Sequence, residues 1–383
     1  MSKSKVRVYI VSSFASSLVN FRIDLINKFT RYGYKVFCIA PDFDENVVSK
    51  LKELNVEFIQ IPFKRNGLSL FEDIGLLFKL YKEFKRHEPP IVVSYTIKPL
   101  VYGSIAARLA KVDSRVSLVT GLGQAFTPKA SFVDQIIKSF ARNLYRLGLT
   151  CSTNVFFQNN DDKRKLIELG YVSSDKAYVT NGSGVNLKRF ALHKVKAEPV
   201  RFLMVARLLK AKGVLDYIKA AELVKKEYED VRFDLVGPVD ETGGIDMSII
   251  ESAIRRGIIS YYGFQRDIVP FLERCSIFVL PSYYPEGVPR SILEALSIGR
   301  GVITTNSVGC KETVIDGENG FLITPKKPNE LSQKMKMIIN DLSLVESFSR
   351  ASRCLAIDKF DVNKVNDYIF RKANIECLNE KSV

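Results

Sequence analysis

Residues 280–301 read LPSYYPEGVPRSILEALSIGRG. The residues before and into it, CSIFVLPS, are apolar on both faces, as a strand buried inside a parallel sheet must be. Tyr284 stands before Pro285, which disfavours helix and keeps the chain extended there. Pro289 suits a first helical position, and RSILEALSIG then reads as a helix with a C-cap at Gly299. The order is therefore strand, polar turn, helix.

The same alternation runs through the whole chain. VRVYIVSS, YKVFCIAP, VEFIQIPF, PIVVSYT, RVSLVTG and VFFQN are short apolar strands separated by amphipathic helical stretches. After NGSGVNLKRFALHKVKAEP the pattern restarts with VRFLMVARL, VRFDLVG, ISYYGF, SIFVLPS and GVITTN. Strands alternating with helices imply parallel sheets covered on both faces. The expected organisation is two Rossmann-like, doubly wound α/β domains facing an interdomain cleft. They occupy residues 1–185 and 200–383, joined by a short, basic linker over 186–199. In such sheets ligands bind beyond the carboxyl ends of the strands.

At 383 residues the chain is long enough for both cores. No apolar run is long enough to span a bilayer, and the basic start MSKSKVR lacks the long apolar segment of a secretory signal. The six cysteines lie far apart without metal-like spacing, which predicts reduced thiols, mostly in the core of a cytoplasmic protein. With only His87 and His193 present, Ser-His-Asp hydrolysis and His-based zinc chemistry find little support. No metal site is expected. Asp42 and Asp44 form a DxD pair, but they read as ordinary turn acids after a strand. GLGQAF at 121–126 lacks the third small residue of a dinucleotide fingerprint. Charge is uneven: residues 1–200 carry 31 Lys and Arg against 17 Asp and Glu, whereas 201–383 carry 26 against 25. The N-terminal half is thus suited to an anionic partner: a membrane surface, a phosphorylated substrate or nucleic acid.

Context gives the opening stretch its chemistry. Glutamates eight apart also occur at Glu45 and Glu53, in a plain amphipathic helix, so spacing alone decides nothing. Glu286, however, stands in a strand-to-helix turn and Glu294 one turn into the helix. Between them lie free backbone N–H groups that attract phosphate, and Gly287 lets a ligand approach closely. Carboxylates on either side of an anion site suit a nucleotide-sugar. Arg207, just beyond a strand, and Lys212, before a helix, are placed to clamp a diphosphate.

These segments together resemble the family-4 glycosyltransferases of the GT-B fold, over almost the whole chain. VTGLGQAFT, NGSGVNLKRF, VARLLKAKGV, LPSYYPEGVPRSILEAL and VGCKETVIDGENGFLI stand in that family's order and spacing. The chain is most similar to bacterial enzymes that extend O-antigen, capsule and undecaprenyl-linked glycans. The resemblance implies a nucleotide-sugar donor held by the C-terminal domain, an acceptor on the N-terminal domain, and metal-independent transfer with retention at the anomeric carbon. No cofactor is implied beyond the donor, read as a UDP-sugar. Carried over, Glu286 contacts the donor sugar and Glu294 the ribose, while Arg207 and Lys212 neutralise the leaving diphosphate. Backbone groups of Gly287, Val288 and Arg290 assist, and Gly263–Phe264 meets the base. In the N-terminal domain the loop SSFASSLVNFR is expected to approach the diphosphate. It offers Ser16 and Ser17 where many relatives have glycines, and Arg22 close by. Many relatives also place a His after the fourth strand; here Ile97 stands about there, with Lys98 beside it as a candidate phosphate-orienting cation.

The positive N-terminal half fits the anionic inner leaflet that carries a lipid-linked acceptor. Lys138, Arg142 and Arg146 repeat at helical spacing in SFVDQIIKSFARNLYRLG, with Phe132, Ile136, Phe140, Leu144 and Leu147 on other faces; KLYKEFKR at 79–86 is similar. The expectation is a peripheral enzyme on the cytoplasmic face of the membrane, acting on an undecaprenyl-diphosphate-linked glycan. A nucleotide-sugar epimerase of the same fold is the alternative enzyme. Nucleic-acid binding would require an aromatic–basic reading motif that the chain lacks.

Overall fold

A computed structural model of the chain describes residues 6–65, 67, 69–123, 132–240 and 244–379. It forms two compact units, Met1–Ser183 with Asn363–Val383, and Gly184–Val362.

The N-terminal unit alternates strand and helix as expected: β1 (Arg7–Val11), α1 (Ser16–Arg31), β2 (Lys35–Ala40), α2 (Glu45–Glu53), β3 (Glu57–Gln60), α3 (Leu70–His87), β4 (Ile91–Tyr95), α4 (Ile97–Leu109), β5 (Ser114–Val119), α5 (Phe132–Cys151), β6 (Asn154–Phe157), α6 (Asn160–Glu168) and β7 (Ala177–Val179). Its strands pair in parallel in the order β3-β2-β1-β4-β5-β6-β7. The switch point therefore lies between β1 and β4. One face buries Leu76, Leu80 and Phe84 of α3 with Leu100 of α4 and Tyr145 of α5; the other buries Leu25 and Phe29 of α1 with Val47 and Leu51 of α2. β7 escaped the sequence reading because three residues carry too little periodicity to register.

The C-terminal unit holds β8 (Arg201–Val205), α7 (Val214–Lys225), β9 (Arg232–Val236), α8 (Met247–Arg255), β10 (Ser260–Tyr261), α9 (Val269–Arg274), β11 (Ile277–Leu280), α10 (Arg290–Ile298), β12 (Gly301–Thr305), β13 (Gly320–Ile323), α11 (Pro328–Asn340) and α12 (Ser343–Lys359). The strand order is β10-β9-β8-β11-β12-β13, again parallel, with the switch point between β8 and β11. β11 and β12 are buried along their whole length, matching the continuous apolar runs that announced them.

Two expected boundaries change. The segment 186–199 is not a free linker: Phe190 and Val195 lie in the core of the C-terminal unit. Arg300, fully buried, ties that segment down by donating to the carbonyls of His193 (2.9 Å), Leu272 (2.7 Å) and Glu273 (3.0 Å). The guanidinium thereby satisfies carbonyls at a helix end that no intrahelical donor reaches. The chain also does not end in the C-terminal unit. The last helix, α13 (Val362–Lys372), buries Val365, Ile369 and Phe370 in the N-terminal core, and Lys28 of α1 pairs with Asp367. A tail helix reveals its apolar face in sequence, but not which sheet that face covers.

Four cysteines, Cys38, Cys151, Cys275 and Cys310, are buried free thiols, while Cys354 is exposed. Among the described residues no helix is long and apolar enough to cross a membrane.

Candidate active site

At the switch point of the C-terminal unit the loops after β8 and β11 are locked together by glycines. Gly213 has φ +77°, and a Cβ there would lie 2.2 Å from the Pro281 carbonyl oxygen. Tyr283 N–H donates to the Ala211 carbonyl at 2.9 Å across the same seam. This approach brings Lys212, at the end of a 3₁₀ turn over Lys210–Lys212, against the loop that carries Glu286. Lys212 Nζ lies 2.5 Å from Glu286 Oε1, and Ser282 Oγ donates to the same oxygen at 3.0 Å. The ammonium also sits 5.4 Å from the centre of the Tyr284 ring. Both members of the ion pair keep some solvent contact, at 12% and 17% side-chain exposure, so a ligand can reach them.

The turn itself is held from behind. Gly309 has φ +83°, and a Cβ on it would fall 1.5 Å from the Gly287 carbonyl oxygen. Only glycine fits, because no other residue lets the two backbones come so close. Ser307 Oγ donates to the Ser282 carbonyl at 2.9 Å, and Thr305 Oγ1 bonds the same oxygen. Val288 is buried. Pro289 takes the N-cap position, one residue earlier than read from sequence, and α10 begins at Arg290 with no side chain capping it. Gly299 closes the helix in the left-handed conformation, as expected.

Glu294 follows one turn in. Its Oε1 accepts from Arg290 Nε at 3.0 Å. Burial pushes the Glu294 carboxyl above the usual glutamate range, opposed by the charges of Arg290 and Arg189. Arg290 was expected to act only through its backbone; its side chain instead holds this carboxylate.

Arg207, two residues beyond β8, is half-exposed and pairs with Asp240 Oδ2 at 2.8 Å. Gly237, at φ +148°, packs where a Cβ would lie 1.8 Å from the Ala206 carbonyl oxygen, and its N–H donates to the Gly263 carbonyl at 2.8 Å. The ends of β8, β9 and β10 therefore converge, and Gly263 comes beside the Arg207 turn. Phe264 is 64% exposed on the same loop. The structure thus gathers Arg207, Lys212, Glu286, Gly287, Val288, Arg290, Glu294, Gly263 and Phe264 onto turns and a helix start at the carboxyl ends of one sheet. Ser282, Asp240, Arg189, Gly213 and Gly309 escaped assignment. The signals were present: a serine four residues before Glu286, and glycines at the seams of quoted motifs.

The N-terminal candidates are placed differently. Ser16 is half-buried in the first turn of α1. Ser17 is turned inward, its hydroxyl donating to the Phe14 carbonyl (2.7 Å) and sharing a 2.8 Å bond with Tyr95 OH. Arg22 is buried, with its guanidinium 5.2 Å from the centre of the Tyr95 ring. Burial raises the Tyr95 phenol strongly, against the opposing Ser17 bond and Arg22 charge. The expectation of a phosphate-facing hydroxyl therefore fails for Ser17, because Tyr95 claims it. Lys98, expected as a phosphate-orienting cation, instead pairs with Asp73 Oδ1 at 2.7 Å in a buried contact. Thr96, at φ +68°, turns the chain sharply between β4 and α4. The two acids of the DxD pair are structural: Asp42 accepts from Ala15 N–H (2.8 Å), and Asp44 caps α2. Residues 124–126 of GLGQAF, and the side chains of Phe132 and Ile136, lie outside the described residues.

Comparison with known proteins gives the family. Residues 9–159 match the glycosyl transferase 4-like family, and residues 188–354 match glycosyl transferases group 1. The chain is 29% identical over 353 residues to the N,N'-diacetylbacillosaminyl-diphospho-undecaprenol alpha-1,3-N-acetylgalactosaminyltransferase of Campylobacter jejuni, covering 88% of this chain and 91% of the relative. It is 27% identical over 367 residues to the UDP-Gal:alpha-D-GlcNAc-diphosphoundecaprenol alpha-1,3-galactosyltransferase of Escherichia coli, covering 90% and 93%. A glycosyltransferase from Rickettsia africae superposes with a TM-score of 0.76 at 20% identity, over 97% of this chain and 98% of that one. HepE of Anabaena, solved in complex with UDP, gives 0.76 at 18% identity, over 96% and 99%. The chain belongs to the glycosyltransferases of the GT-B fold, with a glycosyl transferase 4-like N-terminal half and a C-terminal half of glycosyl transferases group 1.

Proposed function

We propose that the enzyme transfers a hexose or N-acetylhexosamine, with retention, from a UDP-sugar to a polyprenyl-diphosphate-linked glycan in surface-polysaccharide synthesis. The observation that carries this reading is the Lys212–Glu286–Ser282 cluster at the start of α10, with Arg207 on the neighbouring turn. Cations beside a helix start suit a diphosphate. A carboxylate held by Lys212 and Ser282 retains acceptor capacity for sugar hydroxyls. The half-buried Glu294 is suited to a ribose diol, where two hydroxyl donors replace water. Both relatives named above are named for diphospho-undecaprenol-linked sugars, and the second for UDP-Gal.

In the reaction the bond between the donor's anomeric carbon and the β-phosphate oxygen breaks. The acceptor hydroxyl oxygen bonds to that carbon on the same face, and its proton passes to the departing phosphate. Arg207 and Lys212 stabilise the charge that develops on the diphosphate, without a metal ion. No side-chain base is required. The acceptor is assigned to the N-terminal unit and membrane contact to its basic surface.

The test is a thermal-shift screen of UDP-, GDP- and dTDP-sugars, followed by transfer to a synthetic polyprenyl-diphosphate-linked sugar in the presence of EDTA. Stabilisation by a UDP-sugar and a product that keeps the donor's anomeric configuration support the reading. An epimerised donor formed without acceptor contradicts it.

A further inference from the structure

The N-terminal unit carries an apolar surface that sugar transfer leaves unused. On α3, Phe71 is 91% exposed, Ile74 60% and Phe78 55%, at the i, i+3, i+7 spacing of one helical face. On α5, Phe140 and Leu147 are also exposed. α3, α4 and α5 pack on the same side of the sheet. Between them runs a groove of about 190 Å³, walled by Ile74, Leu77, Ile105, Phe140, Leu144 and Leu147. Asp73 also reaches its wall, but Lys98 pairs with it at 2.7 Å, so the groove carries no net charge.

Cations border this surface. Lys82 Nζ sits 4.7 Å from the centre of the Phe78 ring, and Lys85 and Arg86 continue along α3. Lys138, Arg142 and Arg146 form a separate stripe of α5, on another face from Phe140, Leu144 and Leu147, so the cations beside the apolar face are those of α3. A soluble domain rarely leaves so many large apolar side chains together in water. Aromatic and aliphatic residues beside lysines and arginines are the composition of a surface that enters the acyl boundary of an anionic leaflet. The net positive charge of residues 1–200 supplies the long-range attraction.

We propose that the α3–α5 face is a membrane-insertion surface, with Phe71, Ile74 and Phe78 entering the lipid and the flanking cations meeting anionic headgroups. It deepens the proposed function and rests on it for the lipid-linked acceptor, but the surface is tested without any transfer reaction. The chain contains no tryptophan, so a single Trp reports one site. Phe71→Trp in the full-length protein should shift its emission to the blue on phosphatidylcholine–phosphatidylglycerol vesicles, and less on phosphatidylcholine alone. Phe43→Trp, exposed before α2 on the opposite side of the sheet, should not shift. Combining Phe71→Ser with Phe78→Ser should lower vesicle partitioning about tenfold or more, while transfer to a short-chain, water-soluble acceptor is unchanged.

An unshifted Phe71→Trp on vesicle-bound protein, or a double-serine variant that partitions like the parent, overturns the proposal. So does a blue shift that grows with protein concentration in the absence of lipid, which identifies the face as an interface between copies. If no sugar is transferred to any acceptor but the vesicle results hold, the proposed function fails and the surface stands.

Discussion

At the ends of β8 and β11 the C-terminal unit keeps its charges within reach of solvent and pairs them across turns, Lys212 with Glu286 and Arg207 with Asp240. At the ends of β1 and β4 the N-terminal unit draws its polar groups inward. Ser17 bonds Tyr95, and Lys98 is sealed against Asp73. Both sheets are parallel and both have a switch point there, so architecture alone does not make a site. A reachable ion pair exchanges partners with a ligand at low cost; a buried pair loses several kcal/mol when one member leaves. On the proposed function the first arrangement suits exchange with a ligand, whereas the pair of Lys98 with Asp73 suits the fold.

Substitutions at the two edges should therefore fail in different ways. The largest effect is expected at the glycine seam. Gly309→Ala forces a Cβ into the Gly287 carbonyl, 1.5 Å away, and must displace the turn carrying Glu286. Transfer should fall a hundredfold or more, with a clear drop in melting temperature by calorimetry, roughly as for other strained sites.

Lys98→Ala and Lys212→Ala form the decisive pair. The first leaves Asp73 buried without its cation and should cost about 3–5 kcal/mol in urea unfolding, while the folded fraction keeps its KM for donor. The second should cost no more than about 1 kcal/mol in stability yet lower kcat/KM roughly 100-fold or more, as expected for loss of a transition-state cation. Reversal of these two outcomes would erase the distinction between the edges.

Asp162, near the start of α6, offers a pH-dependent example of the N-terminal unit's inward charges. Burial pushes its carboxyl up from 3.8 to about 6, with the Asn159 hydrogen bond opposing. The folded state therefore holds this proton more tightly than the unfolded chain. Its contribution is full below about 3.8 and is lost as pH rises through about 6. Asp162→Asn should gain on the parent by roughly 2 kcal/mol between pH 4 and pH 7 in denaturant titrations. The smallest effect is expected for Ser17→Ala, about 1 kcal/mol of stability, with donor affinity unaltered.

Legibility in the sequence followed the same divide. β11, the turn and α10 could be read because each has a local cause: a run of apolar residues, Pro285 and Pro289, and a left-handed Gly299. The partnership of Lys212 with Glu286 could not, since it depends on how closely Gly213 approaches Pro281. Lys98 was misread for a related reason. Its partner Asp73 lies on a different helix, and no local pattern reveals that α3 and α4 share a face of the sheet. α13 shows the limit for whole elements, because its apolar stripe fits either core until the chain is folded.

On the proposed function the donor diphosphate is held by the C-terminal unit between Arg207, Lys212 and the start of α10. Calorimetric titration of UDP into the parent, Arg207→Ala and Lys212→Ala proteins tests it directly. Each variant should bind UDP at least tenfold more weakly, with an unfolding midpoint near the parent's. Equal affinity for UDP in all three proteins would contradict it.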